Sequence, residues 1–168
     1  LGVHFPHQVA AGWAAGAILL LLFLWLDKPI EMAVARLNLG PQLLLALGIP
    51  LLLAVVYPRE STVSAAAVMA GFASGIVLCR RYVPFDTAGA WWQRVLRSVI
   101  GLIVLLAIYF GLSALFPGEE AGEVAFYGFR FVRYSLLGLW IGLGAPWLFG
   151  LLHLTQKPTT AEPEAALN

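Results

Sequence analysis

Two histidines and a glutamine at the start of the first apolar segment are the residues of this sequence with the clearest chemical potential. His4, His7 and Gln8 precede or open a long apolar run that is continuous from Val9. Polar groups at the entrance to a membrane cost free energy unless they are bonded, so such a cluster there is unusual. A neutral imidazole is a competent nucleophile toward phosphorus, and an acceptor on its other ring nitrogen fixes its tautomer and direction. If a helix starts near Pro6, the Gln8 side-chain oxygen lies within one turn of His4 and could accept that N–H.

The composition is that of a membrane protein. Of 168 residues, 61% are hydrophobic and 11% are charged, and the mean hydropathy is +0.86. Soluble domains are about half apolar and about a quarter charged. The net charge of +1 gives no sign of nucleic-acid binding. The single cysteine, Cys79, excludes an internal disulfide and a cysteine metal cluster, and we expect neither a metal nor a cofactor.

Five charge-free apolar stretches are each long enough to cross about 30 Å of hydrocarbon. They are Val9–Leu26, Leu39–Tyr57, Thr62–Cys79, Ser98–Phe116 and Tyr134–Thr155. The sequence therefore predicts an all-α integral membrane bundle of five transmembrane helices. Residues 156–168, rich in Pro, Thr, Glu and Ala, are expected to form a disordered tail.

Local patterns inside and between these spans add further expectations. Three glycine pairs with four-residue spacing predict close approach of helix backbones: Gly12/Gly16, Gly71/Gly75 and Gly138/Gly142. Pro50 and Pro146 fall inside spans two and five, where a missing backbone N–H predicts kinks. The charged stretch from Asp27 to Arg36 favours a short amphipathic interfacial segment between spans one and two.

Basic residues predict the orientation, because Lys and Arg are retained on the cytoplasmic side. Five crossings place the N-terminus on the same side as Arg59, Arg130 and Arg133. The opposite side carries seven basic residues, which are Lys28, Arg36, Arg80, Arg81, Arg94, Arg97 and Lys157. We therefore expect a cytoplasmic C-terminus, with His4 and Gln8 facing away from the cytoplasm.

The first twelve residues resemble the third signature motif of the type 2 phosphatidic acid phosphatase superfamily, which includes lipid phosphatases, glucose-6-phosphatase and the vanadium haloperoxidases. That motif runs Ser-Arg, five residues, His, three residues and usually Asp, and often continues into Val-x-x-Gly. His4 matches the histidine, Val9 and Gly12 match the continuation, and Gln8 stands at the Asp position. The string His-Phe-Pro-His-Gln-Val is the version seen in glucose-6-phosphatase and in sphingosine-1-phosphate phosphatases.

The resemblance implies a phosphatase in which His4 forms a phosphohistidine and Gln8 orients its ring. The implied substrate is a phosphorylated lipid or a small phosphomonoester, and the active site faces away from the cytoplasm, here in a bacterial inner membrane. An amide at position 8 orients the imidazole but stabilises its protonated form less than a carboxylate would. The resemblance gives His7 no role.

Two further motifs of the superfamily are missing from the sequence. The first supplies Lys and Arg, the second supplies Pro-Ser-Gly-His, and neither occurs in these 168 residues. Phosphoryl transfer needs such a cationic clamp on the equatorial oxygens. We therefore expect the C-terminal part of a longer enzyme, inactive without its N-terminal catalytic segment. Residues 1–26 would be the last helix of the catalytic core, and residues 27–155 a four-helix transmembrane extension.

Arg130 and Arg133 are the second candidate site. They are three residues apart, so they share a helix face at the end of span five nearest the expected active site. They are candidates to bind a substrate phosphate or a lipid headgroup, and the alternative is a pair of arginines that merely reach the membrane interface. For the whole chain, the competing function is a non-catalytic membrane protein, such as a transport or scaffold subunit.

Overall fold

The fold is all-helical. The computed structural model describes residues 6–83, 85–115 and 122–155, and within these ranges there are helices and no strands. The helices are α1 (Pro6–Ala35), α2 (Leu39–Val56), α3 (Glu60–Tyr82), α4 (Trp91–Leu115), α5 (Glu123–Leu139) and α6 (Ala145–Leu151), with a π-helical segment (Trp140–Gly144) joining α5 to α6. The predicted nucleophile His4 and the predicted tail from residue 156 onward lie outside the described residues.

Five of these helical stretches are long and apolar enough to cross a membrane, with α5, the π segment and α6 forming the fifth. The prediction of an all-α bundle with five transmembrane helices is confirmed. Large apolar side chains such as Trp13, Leu52 and Phe110 are exposed on the protein surface. Exposed side chains of this kind suit contact with lipid rather than water.

The chain divides into two compact units, residues 1–41 and residues 42–168. In the first unit α1 does not end at Leu26 but continues through Pro29 to Ala35. The predicted interfacial segment is therefore not a separate element. Proline removes one backbone hydrogen bond, and the helix-forming residues that follow it, Glu-Met-Ala-Val-Ala, continue the helix. On its exposed surface, Lys28 Nζ lies 3.9 Å from Glu31 Oε2.

In the second unit, α4 and α5 begin earlier than the apolar pattern predicts. Helix α4 starts at Trp91 rather than Ser98, and α5 starts at Glu123 rather than Tyr134. The added turns contain arginines that the apolar pattern predicts to lie outside the spans. Their guanidinium groups are bonded to other parts of the protein, so charge does not stop these helices.

The centre of the second unit is the contact between α3 and the continuous helix of α5 and the π segment. Glycines from both partners meet there, namely Gly71 and Gly75 with Gly138 and Gly142. A Cβ atom added to Gly75 would stand 2.9 Å from the Cα atom of Gly142. One added to Gly142 would stand 2.6 Å from the carbonyl oxygen of Phe72. The two backbones are therefore too close for any side chain at these positions.

The other two glycines of this contact are equally constrained. A Cβ atom on Gly71 or Gly138 would collide with a backbone carbonyl of the facing helix. Close approach is thus confirmed for two of the three predicted glycine pairs. At Gly12 and Gly16 an added Cβ atom would meet nothing within 4 Å, so the structure does not show the close approach predicted there.

The π segment interrupts the regular hydrogen bonding of the fifth span. The Ala145 N–H donates to the Trp140 carbonyl five residues earlier, one residue further back than in an α-helix. Pro146 follows directly, at the start of α6, and has no N–H to donate. The irregularity predicted at Pro146 is therefore a π turn on its N-terminal side.

The connection from α3 to α4 is organised by a buried arginine on α4. Arg97 is 7% exposed. Its Nη1 donates to the Asp86 carbonyl at 3.3 Å, and its Nη2 donates to the Thr87 carbonyl at 3.0 Å. The Asp86 carboxylate in turn accepts the Ala88 N–H at 2.8 Å. The Arg97 side chain thus stabilises the loop that leads into its own helix.

Candidate functional site

Gln8 is the one member of the predicted catalytic pair that the structure describes. It lies near the start of α1, which is helical from Pro6 onward, and its side chain is exposed. His7 is exposed beside it. Because His4 lies outside the described residues, the interaction of His4 with Gln8 stays a prediction.

Arg130 lies on α5 and joins it to the first turn of α3. Its Nη1 is 3.1 Å from Glu60 Oε2, and its Nε donates to Ser64 Oγ at 2.8 Å. The Ser64 hydroxyl donates in turn to the Glu60 carbonyl at 2.7 Å. The Arg130 side chain is 18% exposed, and its guanidinium lies 5.5 Å from the Phe126 ring centre. Any substrate phosphate at Arg130 would have to compete with the Glu60 carboxylate.

Arg133, one turn further along α5, is directed toward α4 instead. Its Nη1 donates to Ser113 Oγ at 3.3 Å, and its guanidinium lies 6.0 Å from the Tyr109 ring centre. Its buried Nε has no hydrogen-bond partner within residues 6–83, 85–115 and 122–155. Among the residues that the structure describes, no carboxylate forms an ion pair with Arg133.

The two arginines flank one aromatic ring but do not form a single site. The Tyr134 ring centre lies 5.6 Å from the Arg130 guanidinium carbon and 5.0 Å from that of Arg133. Beyond this shared ring, Arg130 is bonded to α3 and Arg133 to α4. Their predicted role in substrate binding stays a prediction, and the structure gives them different surroundings.

An apolar groove between α4 and the fifth span begins beside Arg133, and we call it the α4–α5 groove. Its volume is about 520 Å³, and it is lined by Ala107, Ile108, Gly111, Leu112, Leu136, Leu139, Trp140, Leu143 and Gly144. The Trp140 indole N–H donates to the Gly101 carbonyl on α4 at 3.2 Å, which fixes one wall. The apolar pattern of the sequence does not predict this groove. The small residues at positions 107 and 111, four apart on α4, are the signal that could have indicated it.

Metal-binding chemistry has no support in the part of the chain that the structure describes. Within residues 6–83, 85–115 and 122–155, no three His, Cys, Asp or Glu side chains come together in a way that could hold a metal ion.

Comparison with known proteins adds family evidence. Residues 63–157 match the family model described as PAP2 superfamily phosphatase, transmembrane extension. No curated protein and no solved structure matches the chain. The matched region contains nearly all of α3 and everything from α4 to α6, and it shares no residue with the His-Phe-Pro-His-Gln-Val motif at positions 4–9. Two separate regions of the sequence therefore point to the same superfamily. Because the matched region covers more than half of the sequence, this integral membrane chain belongs to the PAP2 superfamily phosphatases and carries their transmembrane extension.

Proposed function

We propose that this chain is the C-terminal part of a membrane phosphatase that hydrolyses a phosphomonoester, either a lipid phosphate or a small phosphorylated molecule. The observation that carries the proposal is the family match over residues 63–157. The histidine motif at positions 4–9 supports it independently, because it lies outside the matched region. The five apolar helices support a membrane protein as the setting of this activity.

In the proposed reaction His4 is the nucleophile. Its neutral imidazole attacks the phosphorus atom, a P–N bond forms, and the ester P–O bond breaks. The leaving alcohol takes a proton from the histidine of the superfamily's second motif, which is not among these 168 residues. Water then attacks the phosphohistidine, which releases inorganic phosphate and restores the imidazole.

Gln8 is proposed to orient the nucleophile. Its side-chain oxygen would accept the N–H of the His4 ring nitrogen that does not attack, which selects the reactive tautomer. Since the cationic motif is also missing from this sequence, we propose that the 168 residues alone have no phosphatase activity.

The remaining residues are assigned by the same proposal. Residues 1–26 are the last helix of the catalytic core, residues 27–155 are a transmembrane extension, and residues 156–168 are a cytoplasmic tail. The uneven distribution of basic residues supports an active site on the extracytoplasmic side, and we propose a bacterial inner membrane as its location. On that side, Arg133 adds positive charge that favours the approach of anions to this end of the protein, whereas the charge of Arg130 is offset by Glu60.

Phosphate release by the chain joined to the superfamily's first and second motifs tests the proposal. His4→Ala should lower kcat by roughly a thousandfold or more, because the nucleophile is lost. Gln8→Ala should have a smaller effect, on the order of tenfold, because it removes only an orienting bond. His7→Ala is the matched control and should leave kcat within about twofold, since no role is assigned to it.

A second readout follows the covalent intermediate. Substrate carrying labelled phosphate should leave acid-labile label on the wild-type enzyme and none on His4→Ala. Unchanged phosphate release by His4→Ala would defeat the assigned nucleophile, whereas no phosphate release by the wild-type enzyme would favour a non-catalytic membrane protein. Phosphatase activity from the 168 residues alone would show that the missing motifs are not needed.

A further inference from the structure

The α4–α5 groove is open at the protein surface and almost entirely apolar. Its lining residues are Ala, Ile, Gly, Leu and Trp, drawn from α4 on one side and from the fifth span on the other. No side chain fills the space beside Gly111, where an added Cβ atom would meet nothing within 4 Å. In a membrane such a surface is filled by lipid or by another helix.

One end of the groove lies beside the positively charged Arg133 guanidinium. Arg133 lies one turn before the lining residue Leu136, and its hydrogen-bond partner Ser113 directly follows the lining residue Leu112. Within the described residues no carboxylate pairs with this guanidinium, and its single hydrogen bond, to Ser113, is 3.3 Å long. A guanidinium beside an apolar groove of a membrane protein is expected to take an anionic partner. A phosphate group offers it charge-assisted hydrogen bonds.

The distance along the fifth span from Arg133 to the far end of the groove, at Gly144, matches one leaflet of a bilayer. From Arg133 to Gly144, eleven residues at 1.5 Å each give a length of about 16 Å. Half of the hydrocarbon core is about 15 Å thick. An acyl chain running from a headgroup at Arg133 would therefore reach the bilayer midplane along the groove.

We propose that the α4–α5 groove holds a resident bilayer phospholipid with an anionic headgroup. The phosphate of this lipid contacts the Arg133 guanidinium, and one acyl chain lies along the groove toward Trp140. This lipid is a structural partner and not the hydrolysed substrate, so the inference does not depend on the proposed phosphatase activity.

Another protein helix is the competing occupant. Ala107 and Gly111 are small and four residues apart, which also suits a second copy of this chain. A closely packed helix would bring an apolar surface against Arg133, and burying an unpaired guanidinium is unfavourable. The charge at the end of the groove therefore favours an anionic lipid.

Lipid retention by the full-length protein tests the inference. The protein is reconstituted in bilayers of phosphatidylcholine with a minority of phosphatidylglycerol, extracted in mild detergent, and weighed by native mass spectrometry. Wild type should retain phosphatidylglycerol in preference to phosphatidylcholine. Arg133→Gln should reduce that preference by roughly tenfold, which corresponds to one lost charge-assisted contact. Arg133→Lys keeps the charge and should keep most of the preference.

Two further variants show whether lipid retention depends on the groove itself or only on positive charge near the membrane surface. Gly111→Leu should expel the lipid without disturbing the fold, because the space beside Gly111 is empty. Arg59→Gln is the matched control for charge, since Arg59 is also on the predicted extracytoplasmic side but packs on Tyr57 instead, 4.9 Å from its ring centre. It should retain phosphatidylglycerol like wild type.

Equal retention by Arg133→Gln and Arg59→Gln would overturn the proposal, as would full retention by Gly111→Leu. A stable dimer that Gly111→Leu converts to monomers would identify a second copy as the occupant and overturn it as well. The thermal stability of each variant in detergent shows whether it is folded, and Arg133→Lys decides the role of charge if Arg133→Gln does not fold.

Discussion

Helix α5 is bound to α3 and to α4 in two different ways. Against α3 the contact is between backbones, with Gly138 and Gly142 meeting Gly71 and Gly75 so closely that no side chain fits between them. Against α4 the contact is made by separate polar side chains and leaves the α4–α5 groove open. One helix thus has a tightly packed neighbour and a loosely packed neighbour.

This difference follows from how helices associate in lipid. Lipid chains are as apolar as the helix surfaces, so association depends on close van der Waals contact and on hydrogen bonds between helices. The α3–α5 pair uses close contact along its glycines and adds the bonds of Arg130 to Glu60 and Ser64 at one end. Helix α4 uses hydrogen bonds, because its Gly101 carbonyl accepts from Trp140, its Ser113 hydroxyl accepts from Arg133, and its own Arg97 donates to loop carbonyls.

The largest expected effect comes from placing a side chain in the glycine contact. Gly138→Leu should destabilise the protein by about 3 kcal/mol or more, because the facing element is backbone and cannot move aside as a side chain would. Gly128→Leu, on the same helix, is the matched control, since nothing lies within 4 Å of an added Cβ there. It should change stability by less than about 1 kcal/mol. Reversible unfolding in mixed detergent measures both, and equal effects would show that the glycine contact between α3 and α5 is not closely packed.

The second-largest expected loss of stability tests whether the hydrogen bonds of Arg97 hold α4 in place. Arg97→Gln should cost about 2–3 kcal/mol, because it leaves carbonyls of the 86–88 loop without their charged donor. Arg81→Gln changes the same charge at an exposed position of α3 and serves as the control. Hydrogen–deuterium exchange should accelerate at residues 86–90 in Arg97→Gln alone. Normal protection of that loop in Arg97→Gln would mean that α4 is held by helix packing instead.

The smallest expected effect is the difference in stability loss between substitutions of the two arginines of α5. Arg130→Gln should cost about 1–2 kcal/mol, since it loses bonds to Glu60 and Ser64, although solvent screens the Glu60 carboxylate, which is 56% exposed. Arg133→Gln should cost less than about 1 kcal/mol, because it loses one 3.3 Å bond. Thermal unfolding in detergent without added lipid makes the comparison. The opposite order would mean that α5 is held more firmly by α4 than by α3 at this end.

The number of helices could be predicted from the sequence, but several of their ends could not. Apolar length alone identified five spans, because each must cross the hydrocarbon core. The predicted ends failed where Arg94, Arg97, Arg130 and Arg133 suggested a boundary. Those charges lie within helices because carbonyls, hydroxyls and the Glu60 carboxylate bind them. Such tertiary partners cannot be read from local hydropathy.

The candidate sites were predictable to different degrees. The motif at positions 4–9 is a local string, so sequence alone could nominate His4 and Gln8. The spacing of Arg130 and Arg133 placed them on one face but could not show that α3 binds one and α4 the other. The α4–α5 groove depends on the separation of two helices, which no single segment encodes. Glycine spacing predicted close contact but not which helices would meet.

The π segment changes the direction in which the side chains of the fifth span point. In an unbroken α-helix Phe149 would lie about three full turns after Gly138 and would point the same way, toward α3. The extra residue in the π turn rotates everything downstream by about 100°. Phe149 accordingly meets Phe85, with 6.4 Å between ring centres, and it belongs to a buried cluster against which Ile100 of α4 packs. The fifth span can thereby pack Gly138 against α3 and turn Phe149 toward Phe85 in the α3–α4 connection, without a loop between its two halves.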